Sequence, residues 1–185
     1  MIESKVARRY AKSLLGLAQE RNITDKVFAD MQLLDATCTA SREFVSLMRN
    51  PIINADKKEG VVKSLFDGKM DPASTAFLLI IIRKGRESHL DGIAAEFIRL
   101  YKAVRGIVTA RVTSAVALDA VQREAILQMV RKSKGDKVEL VEQTDAGLIG
   151  GFILRVEDQQ HDASVSRKLR QLRNEFDDNL YIKEF

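Results

Sequence analysis

Three groups of residues have the types and spacing that could do chemistry. The first is a glycine cluster, Gly147-Leu148-Ile149-Gly150-Gly151. Clustered glycines can present backbone amides to a phosphate, but a phosphate loop continues with Gly-Lys-Ser/Thr and opens a helix. Here Phe152 and Ile153 follow. They begin a run with Phe152, Leu154 and Val156 on one face and Ile153, Arg155 and Glu157 on the other, which is strand period. The cluster therefore reads as a tight turn or bulge that needs positive φ or a close backbone approach. The second group, Asp158, His161 and Asp162, could be imagined as metal ligands. A single histidine with two carboxylates in a polar stretch reads instead as a solvated turn, Glu157 to His161. The third group is scattered. Cys38 is the sole cysteine, which excludes an intramolecular disulfide and a cysteine-rich metal centre, and on a helical stripe it reads as a small core hydrophobe. His89 stands at a predicted helix start, where it caps or faces solvent. No serine sits in a Gly-x-Ser-x-Gly elbow. We therefore expect no catalytic, cofactor-binding or metal-binding residue, and the set argues against an enzyme.

The elements that hold these residues follow from hydrophobic period. Residues 3–20 read as a helix, with Val6, Tyr10, Leu14 and Leu17 in one stripe and Ala7, Ala11, Leu15 and Ala18 widening it. Thr24 is the expected cap of a second helix over 25–39, with Val27, Met31 and Leu34 inward. Ser41 caps a short third that ends at Asn50-Pro51. Asn54 is the expected cap of a fourth over 55–66, with Val61, Val62, Leu65 and Phe66 inward and Gly68 closing it. Asp71-Pro72 opens a fifth whose body, Ala76 to Ile82, is apolar all round. Strand is the rival for that run, but the Asp-Pro start and the length favour a buried helix. A sixth runs from about His89 to Val104, with Leu90, Ile93, Ala94, Phe97, Ile98 and Tyr101 on one face.

The texture changes at Gly106. Ile107 to Val116 reads as a strand. Leu118 to about Lys132 reads as a helix burying Val121, Ala125, Ile126, Met129 and Val130. A turn at Gly135-Asp136 leads to a second strand, Lys137 to Gln143, and the glycine cluster then launches a third. Asp162 or Ser164 caps a last helix with Val165, Leu169, Leu172 and Phe176 at i, i+4, i+7 and i+11. The tail, Asn179 to Phe185, is left open between a frayed end and a short strand. The expected fold is mainly α: an N-terminal six-helix bundle over 1–105, then a small α/β domain, β-α-β-β-α, over 106–185.

Composition is that of a globular chain: 185 residues, 45% hydrophobic and 30% charged, with two prolines. The start lacks the apolar core of a signal peptide, and the longest apolar run is too short to span a bilayer, so any membrane association is expected to be peripheral. Residues 1–105 carry 18 Lys+Arg against 13 Asp+Glu, and residues 106–185 carry 12 against 13. The basic half could meet an acidic partner, although no basic run is dense enough for a nucleic-acid patch. The face around Tyr10, Ala7, Ala11 and Leu14 is either core or one wall of a groove for a partner helix. The fifth helix could supply the other wall through Ala76 and Ile80, which are i, i+4 neighbours.

These residues resemble a known family, the delta subunit of bacterial F-type ATP synthase, counterpart of the mitochondrial oligomycin-sensitivity-conferring protein. The likeness rests on Val6-Ala7-Arg8-Arg9-Tyr10-Ala11-Lys12-Ser13-Leu14, on Asn50-Pro51 with Ile53, and on Lys84-Gly85-Arg86 followed by Leu90 and Ile93. It continues with Val112, Ser114-Ala115 and Leu118, with Leu148-Ile149-Gly150-Gly151-Phe152, and with Asp162, Ser164-Val165 and Leu169. The motifs are short, but their order and spacing span nearly the whole chain. Two turns depart from the pattern: Glu157-Asp158 stands where the family usually has Gly-Asp, and Asp162-Ala163-Ser164 where it often has Asp-Gly-Ser.

The resemblance implies a non-catalytic stator subunit, one copy in a hetero-oligomeric complex, peripheral on the cytoplasmic face of the bacterial plasma membrane. The N-terminal domain would take the N-terminal helix of an alpha subunit, through Ala7, Tyr10, Ala11, Leu14, Ala76 and Ile80. The C-terminal domain would hold the b subunits of the peripheral stalk. The rival expectation is a basic nucleic-acid-binding module, since small α/β units with glycine turns also occur there.

Overall fold

The computed structural model describes residues 2–135 and 137–177, so the tail 179–185 and Asp136 of the expected turn lie outside the described residues. The fold is mainly helical with a small four-stranded sheet. The chain divides into two compact units, with the break between Arg105 and Gly106.

The first unit contains α1 (Ile2–Glu20), α2 (Thr24–Ala40), α3 (Arg42–Arg49), α4 (Ala55–Phe66), α5 (Pro72–Arg83), a 3-10 turn (Glu87–His89) and α6 (Leu90–Arg105). The helix α6 is the hub, packing on both α1 and α2. Its stripe Leu90, Ile93, Ala94, Phe97 and Tyr101 is buried, as its spacing requires. Two of the expected caps form: Ser41 Oγ accepts from the Phe44 amide at 3.2 Å, and Asp71 Oδ1 from the Ala73 amide at 2.9 Å, with Pro72 at the first position of α5. Two differ. Thr24 is itself the first residue of α2, and Asn54 precedes α4 without a side-chain capping bond. Leu65, expected inward, is exposed, so the buried face of α4 narrows to Val62 and Phe66 with Lys58 and Glu59.

Polar groups tie the helices together. Lys58 is 1% exposed, and its ammonium donates to the Met48 carbonyl at 2.9 Å and to Glu87 Oε1 at 2.6 Å. One buried cation thus joins α4, the end of α3 and the 3-10 turn. Asp30 on α2, also buried, accepts from the backbone amide of Asp71 at 3.1 Å. The Tyr101 ring stacks on Phe28 with centroids 4.0 Å apart, and its hydroxyl donates to Asp25 at 2.6 Å. Arg105 also donates to Asp25, and the Tyr101 and Arg105 bonds together hold that carboxyl below its usual range.

The second unit runs β1 (Val108–Ser114), α7 (Ala120–Lys134), β2 (Val138–Thr144), β3 (Phe152–Val156), β4 (Gln159–Asp162) and α8 (Val165–Asp177). The sheet order is β2-β1-β3-β4, with β1 parallel to β2 and antiparallel to β3. A parallel neighbour needs a crossover, and α7 supplies it. Asp119 and Gln122 close a reciprocal capping box at its start. Alternation puts Ala110, Val112, Leu154 and Val156 on one sheet face, where Ile126 and Val130 of α7 cover them.

The expected β-α-β-β-α order is corrected here to β-α-β-β-β-α. The polar stretch read as a turn from Glu157 to His161 is a hairpin. Glu157 takes φ +52°, and Gln159 to Asp162 pair back onto β3. A polar edge strand carries no hydrophobic alternation, so period alone does not reveal it. A second correction concerns α7: Val121, Ala125 and Met129 are exposed, because a sheet this small covers only a narrow stripe of the helix.

Candidate partner-binding surfaces

The helix α1 carries two adjacent apolar seams. The seam Ala7, Ala11, Leu14, Leu15 and Ala18 is buried, and α6 is the principal packing partner. The approach is close: a Cβ added to Gly92 of α6 would stand 3.5 Å from the Ala7 Cβ. Small residues at both positions allow it. Ala7, Ala11 and Leu14 are therefore core, with side chains occupied by the unit itself. The other seam, Val6, Tyr10 and Leu17, is half-buried. The Arg9 guanidinium lies over the Tyr10 ring, 5.5 Å from its centroid.

The helix α5 turns Ser74, Leu78, Ile81 and Ile82 inward and leaves Ala76 and Ile80 exposed, Ile80 by 51%. Its chief packing partner is α4. Of the six residues expected to line a groove, then, Tyr10, Ala76 and Ile80 keep accessible surface, and Val6 and Leu17 join Tyr10 on α1. The sequence carried Val6 and Leu17 in the same stripe. Which seam of a doubly apolar helix faces α6 is set by the small residues opposite, and a linear pattern does not show them.

A surface cavity of about 370 Å3 lies beside Ala7, His89 and Gly92. The charged groups along it are paired: Arg49 with Asp91 at 2.6 Å, and Arg99 with Glu96 at 2.7 Å. Such closed pairs leave little charge to recognise an ion. Cys38 is half-buried, and burial together with Asp91 and Asp35 pushes its thiol up to about 11, so it stays protonated and unreactive at neutral pH.

In the second unit the glycine cluster makes bonds within the chain. The Gly147 amide donates to Asp145 Oδ1 at 2.8 Å, and the Gly150 carbonyl accepts from the Val165 amide at 2.9 Å. Gly151 takes φ +78°, and a Cβ there would fall 2.3 Å from the Ala163 carbonyl oxygen. Both positive φ and close approach therefore operate at this one residue. Asp162 Oδ1 accepts from the Ser164 amide at 2.9 Å, and the Ser164 bonds hold its carboxyl low. Ser164 Oγ in turn accepts from the Arg167 amide at 3.2 Å and caps α8. Both residues serve the start of a helix.

Beside this corner lies an apolar groove of about 430 Å3, lined by Val116, Leu118, Ile126, Met129, Ile149 and Phe152 among others. The α1 seam at Tyr10, the exposed pair on α5 and the groove of the second unit are apolar and accessible, which suits protein contacts.

The model of the ATP synthase delta (OSCP) subunit family matches residues 6–176. The ATP synthase subunit delta of Cytophaga hutchinsonii is 39% identical over 176 residues, covering 95% of this chain and 96% of the relative. That of Christiangramia forsetii is 33% identical, covering 98% of each. Among solved structures, a chain in the cryo-EM structure of the Toxoplasma gondii mitochondrial ATP synthase hexamer superposes with a TM-score of 0.69 at 21% identity. It covers 94% of this chain and 98% of that one, and so shares the fold.

Proposed function

The chain belongs to the ATP synthase delta (OSCP) subunit family, and from that premise we propose that it is a non-catalytic stator subunit of an F-type ATP synthase. Its work is mechanical. It links the catalytic head to the peripheral stalk, so that the head resists rotor torque during proton-driven ATP synthesis. The family match from residue 6 to residue 176 carries this reading.

Residues 1–105, the six-helix bundle, take the N-terminal helix of an alpha subunit, and residues 106–185 hold the b subunits of the stalk. Each is present with a single copy of this chain, peripheral on the cytoplasmic face of the plasma membrane. Among the described residues no helix is long and apolar enough to cross a membrane. The half-open seam of α1 at Tyr10 and the exposed pair Ala76 and Ile80 on α5 support the alpha contact. A partner helix seats apolar residues at i, i+3, i+4 and i+7 on surfaces of this kind. The nucleic-acid alternative gains no support, because the four strands carry a single Phe and no Tyr or Trp, too few for a base-stacking platform.

Two measurements test the reading. Affinity capture of the tagged chain from native membranes should recover the head and stalk subunits together; recovery of neither sinks it. Tyr10→Asp should raise the Kd for an alpha N-terminal peptide about tenfold or more, as for an interface hot spot, while helicity stays unchanged. Wild-type affinity in that variant would remove Tyr10 from the alpha contact.

A further inference from the structure

The buried charges of the chain converge on one helix. Among the described residues, Asp30, Lys58 and Glu59 are the charged side chains that lie buried, and each ties α5 or the turn that follows it. At the start of α5, Asp30 of α2 accepts from the Asp71 amide at 3.1 Å. In its last turn, Glu59 of α4 takes both arms of the Arg83 guanidinium, from Nε at 2.7 Å and from Nη2 at 3.1 Å. Lys58 holds the 3-10 turn beyond through Glu87. So α5 is pinned at both ends by carboxylates from two other helices.

Stability alone does not call for this arrangement, since an apolar residue of similar volume commonly serves a buried site as well as an ion pair does. Registry does call for it. The run Ala76 to Ile82 is apolar throughout, so hydrophobic pattern gives α5 little preference for which side faces out. A roll of about 100° moves each residue into its neighbour's place. It would turn Ile81 outward and Ile80 inward at little cost in burial. A hydrogen bond of fixed length and direction resists that roll. With both ends tied, Ser74, Leu78, Ile81 and Ile82 face the core, and Ala76 and Ile80 face out.

We propose that Asp30 and Glu59 are positioning residues for the alpha contact. They fix the roll of α5 about its axis, so that Ala76 and Ile80 stand on the surface offered to the partner helix. The inference rests on the reading that this pair meets the alpha helix.

The test titrates the full-length chain with the alpha N-terminal peptide. The apparent Kd rises as the fraction of chains with the competent roll falls, so Asp30→Ala with Glu59→Ala should raise it about tenfold. Glu59→Ala alone leaves only a guanidinium that is already 65% exposed, and should raise it about threefold. Asp30→Asn with Glu59→Gln keeps the acceptor oxygens and should stay within about twofold of wild type. Thiol labelling reads the roll directly. In a Cys38→Ser chain, Ile81→Cys should label slowly and Ile80→Cys fast, and Glu59→Ala should speed the first and slow the second. If wild type binds the peptide and both alanine variants match it, the inference falls while the alpha reading stands. If the alanine variants lose affinity but labelling at position 80 does not slow, the ties only hold the fold together and the proposal is overturned. If wild type binds no alpha peptide, the alpha reading fails and takes the inference with it.

Discussion

Lys58 is the residue whose chemistry and position are furthest apart. Lysine is seldom fully buried unless paired, and here the ammonium has the Met48 carbonyl and Glu87 as partners. Removing one partner of a buried pair leaves the other charge uncompensated, which costs more than the pair contributes when intact. Lys58→Met should therefore destabilise the chain by about 3 kcal/mol. Adding Glu87→Gln should recover a large part of that loss. Urea denaturation of the single and double variants measures both, and a single variant as stable as wild type would contradict the argument. Nothing in the sequence marks Lys58. It sits beside Lys57 in a polar stretch, and its burial depends on a carboxylate 29 residues away. Spacing along a chain does not encode such a pair.

At the scale of elements, the junction between β3 and α8 hangs on Gly151. Any side chain there meets both an unfavourable φ of +78° and the Ala163 carbonyl oxygen at 2.3 Å. Gly151→Ala should cost about 2 kcal/mol or more and should disturb the start of α8, because Val165 bonds to the neighbouring Gly150. Hydrogen exchange at the Ala163 and Val165 amides is the readout; unchanged protection would show that the corner yields freely. The sequence made this element legible, since three glycines running into a strand already demanded special backbone geometry. It made the helices legible too, from period and from the Ser41 and Asp71 caps. The strand β4 stayed hidden because an exposed edge needs no apolar alternation. The exposure of Val121, Met129 and, on α8, Leu169 and Leu172 stayed hidden for a related reason: binary pattern reports which face is apolar and not what covers it.

For the whole molecule, the proposed division of labour has a thermodynamic consequence. If the alpha contact belongs to residues 1–105 and the stalk contact to 106–185, substitutions in the two units share no partner and their effects should add. The variant Tyr10→Asp should lose alpha-peptide affinity and keep wild-type affinity for the stalk subunits. Parallel titrations with the two ligands check this, and a change in stalk affinity caused by Tyr10→Asp would reveal coupling between them. Such independence suits a joint that must hold two neighbours at once.

The hydrogen bond from Tyr101 to Asp25 has an optical consequence. The chain has no tryptophan and three tyrosines, so its near-ultraviolet emission comes from tyrosine alone. An excited phenol is a stronger acid than its ground state, and Tyr101 already donates its proton toward the Asp25 carboxylate. Its emission should therefore be quenched by the Asp25 carboxylate. In a Tyr181→Phe chain the remaining light should come mainly from Tyr10, the residue at the centre of the α1 seam; emission that alpha-peptide titration leaves unchanged would contradict this. The protein then carries its own lamp at the surface where the alpha helix is proposed to land, and docking can be followed without attaching a dye.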